Sequence, residues 1–149
     1  MKAPRFTQAL AEWVALQPRS TEFAVIDAAQ RAITDTIACM IAGAADLAVE
    51  RVRAGLGSWG ETGTASVIGS DRTRDASWAA LINGTAAHAL DYDDVLDPAA
   101  SHVSAVLVPA LLALRQQVAG WLAGETLHGA LWQAGLPRHA QPTLAAAAV

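Results

Sequence analysis

Residues able to transfer protons lie close together near the middle of the chain. His88, Asp91, Asp93 and Asp94 fall within seven residues, and His102 follows eight residues after the last of them. Histidine changes its charge near neutral pH, and a nearby carboxylate can orient the ring or accept a proton. The surrounding sequence is rich in alanine, valine and leucine, so these titratable groups stand in an apolar setting. The cluster therefore indicates a site for acid/base chemistry.

The helix predicted around this cluster decides which side chains can act together. Helical periodicity continues to about Asp93, and on such a helix the spacing of His88, Asp91 and Val95 places them on one face. Asp94 lies on the flank of that face, whereas Asp93 points away from it and can end the helix in solvent. We therefore expect Asp91 and His88 to face the same pocket.

His102 lies beyond a bend that contains Pro98 and just before another apolar helix. The bend allows His102 to fold back toward Asp91, and the free N–H groups at the start of a helix favour anions such as a substrate carboxylate. Two other interpretations stay open: His88 as a core histidine bonded to a backbone carbonyl, and His102 as an ordinary loop residue. The carboxylates of residues 91–94 could also bind Mg²⁺ or Ca²⁺. Because consecutive aspartates on a helix diverge, we predict no metal site.

The rest of the pattern predicts an all-α fold, a domain resembling a helical bundle. Apolar residues recur at helical spacing in several segments, and one short extended segment is expected near residues 64–68. Thr73 is expected to cap the long helix that carries the cluster, and Pro109 is expected to bend the last helix. The predicted helices cover Phe6–Leu16, residues 22–44, Leu47–Leu56, residues 73–93 and residues 103–122.

The composition excludes several classes of protein. The chain has 149 residues, a net charge of -4 and 53% hydrophobic residues. These values suit one globular domain and argue against the basic face of a nucleic-acid binder. Cys39 is the single cysteine, which excludes a disulfide framework and favours a buried thiol. No signal peptide is evident, and no apolar stretch is expected to reach the roughly 18 residues of a membrane helix. We therefore predict a cytoplasmic protein without nucleic-acid or membrane partners.

Several motifs, in the order in which they occur, resemble the MmgE/PrpD family. They are the segment from Asn83-Gly84 to His88, the run Asp91-Tyr92-Asp93-Asp94, His102, and the apolar segment over residues 106–114. Upstream, residues 33–43 resemble the family's second helix, and residues 67–69 resemble its short segment before the motif helix. The family includes 2-methylcitrate dehydratase, cis-aconitate decarboxylase and iminodisuccinate epimerase.

The resemblance implies a fold, a reaction and a set of site residues. Members have a large all-helical domain and a smaller α+β domain, usually form homodimers, and require no metal or organic cofactor. They act on small polycarboxylates by abstracting a proton beside a carboxylate, which leads to elimination, decarboxylation or reprotonation. Motif by motif, Asp91 and His102 are the implied catalytic residues, and His88 has a supporting role. Asp94 and Val95 are the further implied substrate-binding or supporting positions, and Val95 stands where many members have a threonine.

Residues 1–122 are therefore identified as the N-terminal part of the family's helical domain, and residues 123–149 as a divergent or truncated tail. The expected function is that of a lyase or isomerase without a cofactor, which dehydrates a small polycarboxylate such as 2-methylcitrate. The expected assembly is a homodimer, or a pairing with a missing C-terminal half in another chain. The alternative is a catalytically inactive truncated remnant or a helical interaction module of the same family. The family's lysine-containing motifs have no counterpart here, because Lys2 is the single lysine.

Overall fold

The structure is a computed structural model that describes residues 6–18, 22–97 and 100–123. Within these ranges it is mostly α-helical, which confirms the predicted fold class, and the extended segment is one strand of a small antiparallel hairpin. The tail predicted over residues 123–149 lies outside the described residues from residue 124 onward. The elements are α1 (Phe6–Leu16), α2 (Phe23–Gly43), α3 (Leu47–Leu56), β1 (Ala65–Ser66), β2 (Thr73–Arg74), α4 (Ala76–His88) and α5 (Val103–Ala123).

The chain divides into two compact units, with the boundary between Arg31 and Ala32 inside α2. In the first unit, α1 has no buried residue, and its large apolar side chains, such as Trp13, are exposed. An ion pair between Arg31 and Asp27, with 2.9 Å between the charged atoms, joins successive turns of α2. The second unit contains the hydrophobic core and all of the candidate site residues.

The core of the second unit is built around α4, which packs most extensively against α5. The buried side chains of α4 are mainly alanines, and such small residues allow neighbouring helices to approach closely. At Gly84, an added Cβ would lie 3.1 Å from the backbone oxygen of Ala105 on α5. Pro109 lacks the N–H that would bond this oxygen within the helix, yet α5 continues through Pro109. The carbonyl that Pro109 leaves free therefore lies against the backbone of α4.

Asn83 attaches the hairpin segment to α4. Its side-chain nitrogen donates to the Ser66 carbonyl, and its side-chain oxygen accepts from the Ile68 N–H, both at 2.9 Å. Gln116 on α5 accepts from the Ser66 N–H at 2.7 Å in a similar way. Buried backbone N–H and C=O groups need hydrogen-bond partners of this kind when no neighbouring strand supplies them. Asn83 and Gln116 therefore fix the segment before α4 to both central helices.

The two ends of α4 differ from the sequence prediction. Thr73, the predicted cap, lies in β2, and Asp75 caps the helix instead, with its side chain accepting from the Trp78 N–H at 3.1 Å. The helix was predicted to continue to about Asp93 but ends at His88, so that prediction is wrong. Asp91 has a φ of 53°, a left-handed conformation that an α-helix cannot contain. The motif carboxylates therefore lie on a loop and not on a helix face.

The apolar character of α5 exceeds the expectation from the sequence. Val103–Gly120 is an 18-residue stretch with a mean hydropathy of 1.4, so by length and composition α5 could cross a membrane. The prediction that no stretch of this length exists is therefore wrong. A core helix of a soluble protein satisfies the same criterion, and α5 is the main packing partner of α4. Location in the cytoplasm stays a prediction.

Candidate active site

Asp93 lies between two histidines. Its Oδ1 is 3.0 Å from Nδ1 of His88, and its Oδ2 is 3.1 Å from Nδ1 of His102. The Asp93 side chain is 0% exposed, and the two imidazole centroids are 4.3 Å apart. The loop after α4 brings the carboxylate to Nδ1 of His88, and the His102 ring belongs to the residue just before α5. One buried carboxylate therefore contacts the Nδ1 atoms of both rings.

The two contacts of Asp93 differ in hydrogen-bond geometry. The contact to His88 meets the requirements of a hydrogen bond in distance and angle. The contact to His102 has the distance of one, but the N–H direction of the ring is not aligned with Oδ2, and both atoms are buried without another partner. A small rotation of the His102 ring would align the two atoms. Catalytic hydrogen bonds are often poorly aligned until substrate binds.

The environment of His88 favours its protonated form. The hydrogen bond to Asp93 is the largest effect and raises the pKa of His88 above its ordinary 6.5, and the charges of Asp93 and Asp91 act in the same direction. Partial burial opposes them by disfavouring the charged ring. The side chain of His88 is 52% exposed, so solvent weakens these interactions. His88 therefore carries a proton at a higher pH than a free histidine does.

The other predicted site residues lie farther from this contact. Asp91 is exposed, with 79% of its side chain accessible, and its Oδ1 is 3.7 Å from Nε2 of His102. Asp94 accepts a hydrogen bond from the Ser104 hydroxyl at 2.5 Å, which joins the motif loop to the first turn of α5. Val95 is exposed on the loop. The structure thus brings His88, Asp91 and His102 together, but it does not place Val95 on a shared helix face.

The histidines stand at one end of an open cleft of about 710 Å³ in the second unit. This volume is within the usual range of small-molecule sites. The polar end is formed by Thr85, His88, Ser101 and His102, and the remaining wall is mostly apolar. Among the described residues that line the cleft, no lysine or arginine is present. The cleft therefore offers proton donors and acceptors at one end, but no permanent positive charge among those residues.

The sequence pattern missed the most deeply buried member of the site. Asp93 was expected to point away from the cluster toward solvent, but it is buried and joins the two histidines, so that prediction is wrong. The misplaced helix end is the cause, because on a continued helix Asp93 could not face His88. The positions of Asp91 and Asp93 are thus exchanged relative to the prediction: Asp91, expected on the apolar side, is exposed. Nothing in the local sequence clearly predicts the left-handed φ at Asp91. The one hint is that aspartate tolerates this conformation.

The same side chains are chemically suited to a divalent cation. His88, Asp91, Asp93 and His102 each offer one atom, and these atoms lie within 4.8 Å of one another. Two imidazoles and two carboxylates are acceptable to ions such as Zn²⁺. In the observed arrangement, however, Asp93 lies at hydrogen-bond distance from both rings, so shared protons account for the contacts. The absence of a metal requirement stays a prediction.

Comparison with known proteins assigns the chain to a family. A family model of the MmgE/PrpD N-terminal domain matches residues 8–132. The chain belongs to the MmgE/PrpD family. This membership confirms the resemblance seen in the motifs from Asn83 to Leu114. The match continues ten residues beyond residue 122, where the family's helical domain was expected to give way to a divergent or truncated tail, and the proposed division into two segments stays a prediction.

One curated relative is the cis-aconitate decarboxylase-like protein oryM of Aspergillus oryzae. It is 32% identical to this chain over 108 residues, which are 72% of the chain and 22% of the relative. The chain therefore spans about a fifth of that relative's length. No solved structure matches the chain significantly.

Proposed function

We propose that this chain contributes the proton-transfer residues of a lyase or isomerase that acts on a small polycarboxylate. The observation that carries the proposal is the contact of Asp93 with both His88 and His102 at the polar end of a cleft. Two imidazoles side by side can serve as base and acid in one reaction near neutral pH. Membership of the MmgE/PrpD family supports the class of reaction.

In the proposed dehydration, His102 is the base. Its Nε2, the ring atom that Asp93 does not contact, takes a proton from the carbon beside a substrate carboxylate. The electron pair of that C–H bond forms a carbon–carbon double bond as hydroxide leaves the neighbouring carbon. Protonated His88 gives its proton to the hydroxide, which departs as water. The raised pKa of His88 suits this role, because the acid must hold its proton until the bond breaks.

The name of the relative guides the choice of substrate. A cis-aconitate decarboxylase-like protein supports cis-aconitate as a candidate, alongside 2-methylcitrate, since both are small molecules with several carboxylates. Because the chain covers 22% of that relative, any such activity is proposed for the whole protein. We further propose that it acts in the cytoplasm without a metal or organic cofactor, as a homodimer or together with a C-terminal half in another chain.

A second candidate is a catalytically inactive remnant or a helical interaction module of the same family. Two observations favour it. The described cleft residues include no lysine or arginine to bind a polycarboxylate. α5 also exposes large apolar side chains that another protein surface could cover, namely Val106, Leu107, Leu111 and Leu114.

Deuterium exchange distinguishes the two candidates. The purified chain is incubated in D₂O with 2-methylcitrate, citrate, cis-aconitate or an iminodisuccinate, and each acid is followed by proton NMR. Circular dichroism confirms that the sample is folded. Exchange or product formation that is lost in His102→Ala supports the enzyme and names its substrate. A folded sample that leaves all four acids unchanged favours the inactive module.

A further inference from the structure

We infer that Asp93 is a positioning residue, which fixes both His88 and His102 in the form that carries hydrogen on Nδ1 and presents Nε2 for proton transfer. The catalytic consequence rests on the proposed function, whereas the arrangement of protons can be measured without it. The inference concerns a residue that the sequence pattern placed outside the site.

The position of Asp93 leaves its carboxylate few partners. Its side chain is fully buried, and in the described part of the chain its oxygens contact Nδ1 of His88 at 3.0 Å and Nδ1 of His102 at 3.1 Å. A buried carboxylate is costly unless donors satisfy it. The histidine rings are therefore the groups that keep this charge in the interior.

The chemistry of the carboxylate sets the tautomer of each ring. An ionised carboxylate can only accept hydrogen bonds, so a ring nitrogen that contacts it must carry the hydrogen. In a neutral imidazole, hydrogen on Nδ1 leaves a lone pair on Nε2. Because Asp93 contacts Nδ1 of both rings, Nε2 is in both rings the atom that is free to gain or lose a proton. His102 then has its free lone pair on the atom that lies 3.7 Å from the exposed Asp91.

One carboxylate between two rings also makes the rings unequal. A single negative charge can neutralise one imidazolium, and a second positive ring 4.3 Å away would be repelled by the first. The better aligned hydrogen bond is to His88, whereas His102 has an unaligned contact. The better aligned hydrogen bond thus favours His88 as the ring that holds the proton, beside a second imidazole in the same cluster.

Nitrogen-15 NMR of the histidine side chains tests the tautomers directly. The chain has four histidines, so the signals are assigned with His88→Gln and His102→Gln variants. The spectrum is recorded at a pH where titration shows both rings to be neutral. We expect both rings to carry hydrogen on Nδ1. A wild-type spectrum with hydrogen on Nε2 of His102 would overturn the inference.

Asp93→Asn provides the second measurement. The two rings contact different oxygens of Asp93, and an asparagine replaces one of these oxygens with a donating nitrogen, so it cannot accept from Nδ1–H groups at both positions. We therefore expect at least one of the two rings to change to the Nε2–H tautomer. Asp94→Asn is the matched control, because the adjacent carboxylate accepts from Ser104 and not from a histidine. Unchanged tautomers in a folded Asp93→Asn variant would contradict the inference.

The kinetic consequence is tested where a substrate is turned over. Asp93→Asn should lower kcat on the order of 100-fold, a typical loss for misplaced acid/base groups, with little change in KM. Asp97→Asn, on the exposed part of the same loop, should leave both constants unchanged. If no acid is turned over, the proposed function fails while the NMR result still decides the tautomers. If turnover of Asp93→Asn equals that of the wild type, the positioning role is refuted.

Discussion

The close approach of Gly43 to α4 predicts that one added methyl group there destabilises the protein. Gly43 is the buried last residue of α2, and a Cβ at this position would collide with the backbone oxygen of Ala86 and approach Cβ of Ala89. A backbone carbonyl inside a helix cannot rotate away as a flexible side chain can. In Gly43→Ala, α2 and α4 must therefore move apart.

The size of the effect follows from two opposing terms. Overpacking at a buried position costs about 1–3 kcal/mol, and the helix propensity gained from alanine is small at the last residue of a helix. Gly55 in α3 provides a matched control, because no atom lies within 4 Å of a Cβ added there. Gly55→Ala should stabilise the protein by about 0.5–1 kcal/mol. We expect the two variants to differ in free energy of unfolding by about 1.5–4 kcal/mol.

Urea denaturation followed by circular dichroism measures both free energies. The histidine signals in NMR provide a second reading, because Ala86 precedes His88 by two residues on α4. We expect Gly43→Ala to shift the His88 signals and Gly55→Ala to leave them unchanged. If Gly43→Ala is as stable as Gly55→Ala, the close contact between α2 and α4 is refuted.

Three further predictions concern titratable groups. His102→Ala and Asp91→Asn should each lower turnover at least roughly 100-fold in the exchange assay. Asparagine tolerates the left-handed backbone, so loss in Asp91→Asn reports the charge, and near-normal turnover would remove that residue from the mechanism. Because Asp93 raises the pKa of His88, the stability that His88 adds should be full below pH 6.5 and be lost as pH rises through the raised value. Urea denaturation of wild type and His88→Gln should show a difference in free energy of unfolding that shrinks as the pH rises above 6.5. A difference that stays constant with pH would refute this prediction. Burial and nearby aspartates raise the pKa of the Cys39 thiol, so Ellman's reagent should react with it more slowly than with an exposed thiol.

The sequence predicted the helices well where apolar periodicity alone decides them. α1 and α3 have the predicted bounds, and α2 differs by one residue at each end. Local capping was harder to predict, because Thr73 and Asp75 are both acceptable caps. The hairpin decided between them: Thr73 pairs with Ser66, which leaves Asp75 as the first residue free to cap α4.

The site was predicted less well because it depends on where one helix ends. The residues from Ala86 to Asp93 include no proline and no glycine, so periodicity gave no reason to stop at His88. The turn is defined by long-range contacts, since His102 meets Asp93 across the loop and Ser104 binds Asp94. Contacts between residues on opposite sides of a loop cannot be predicted from the spacing of residues within one helix. The types of residue were informative, but their orientation required the tertiary structure.

The charges around the cleft suit proton transfer but not the binding of a polycarboxylate. Two carboxylates, those of Asp91 and Asp93, lie against the two histidines, so the cluster is not positive even when one ring is protonated. A polycarboxylate would be repelled by this cluster unless cations elsewhere bind its remaining carboxylates. The described cleft residues include no such cation besides the histidines. In an active protein we therefore expect the two histidines, positioned by Asp93, to transfer the proton, and arginine or lysine side chains from beyond the described cleft to hold the substrate.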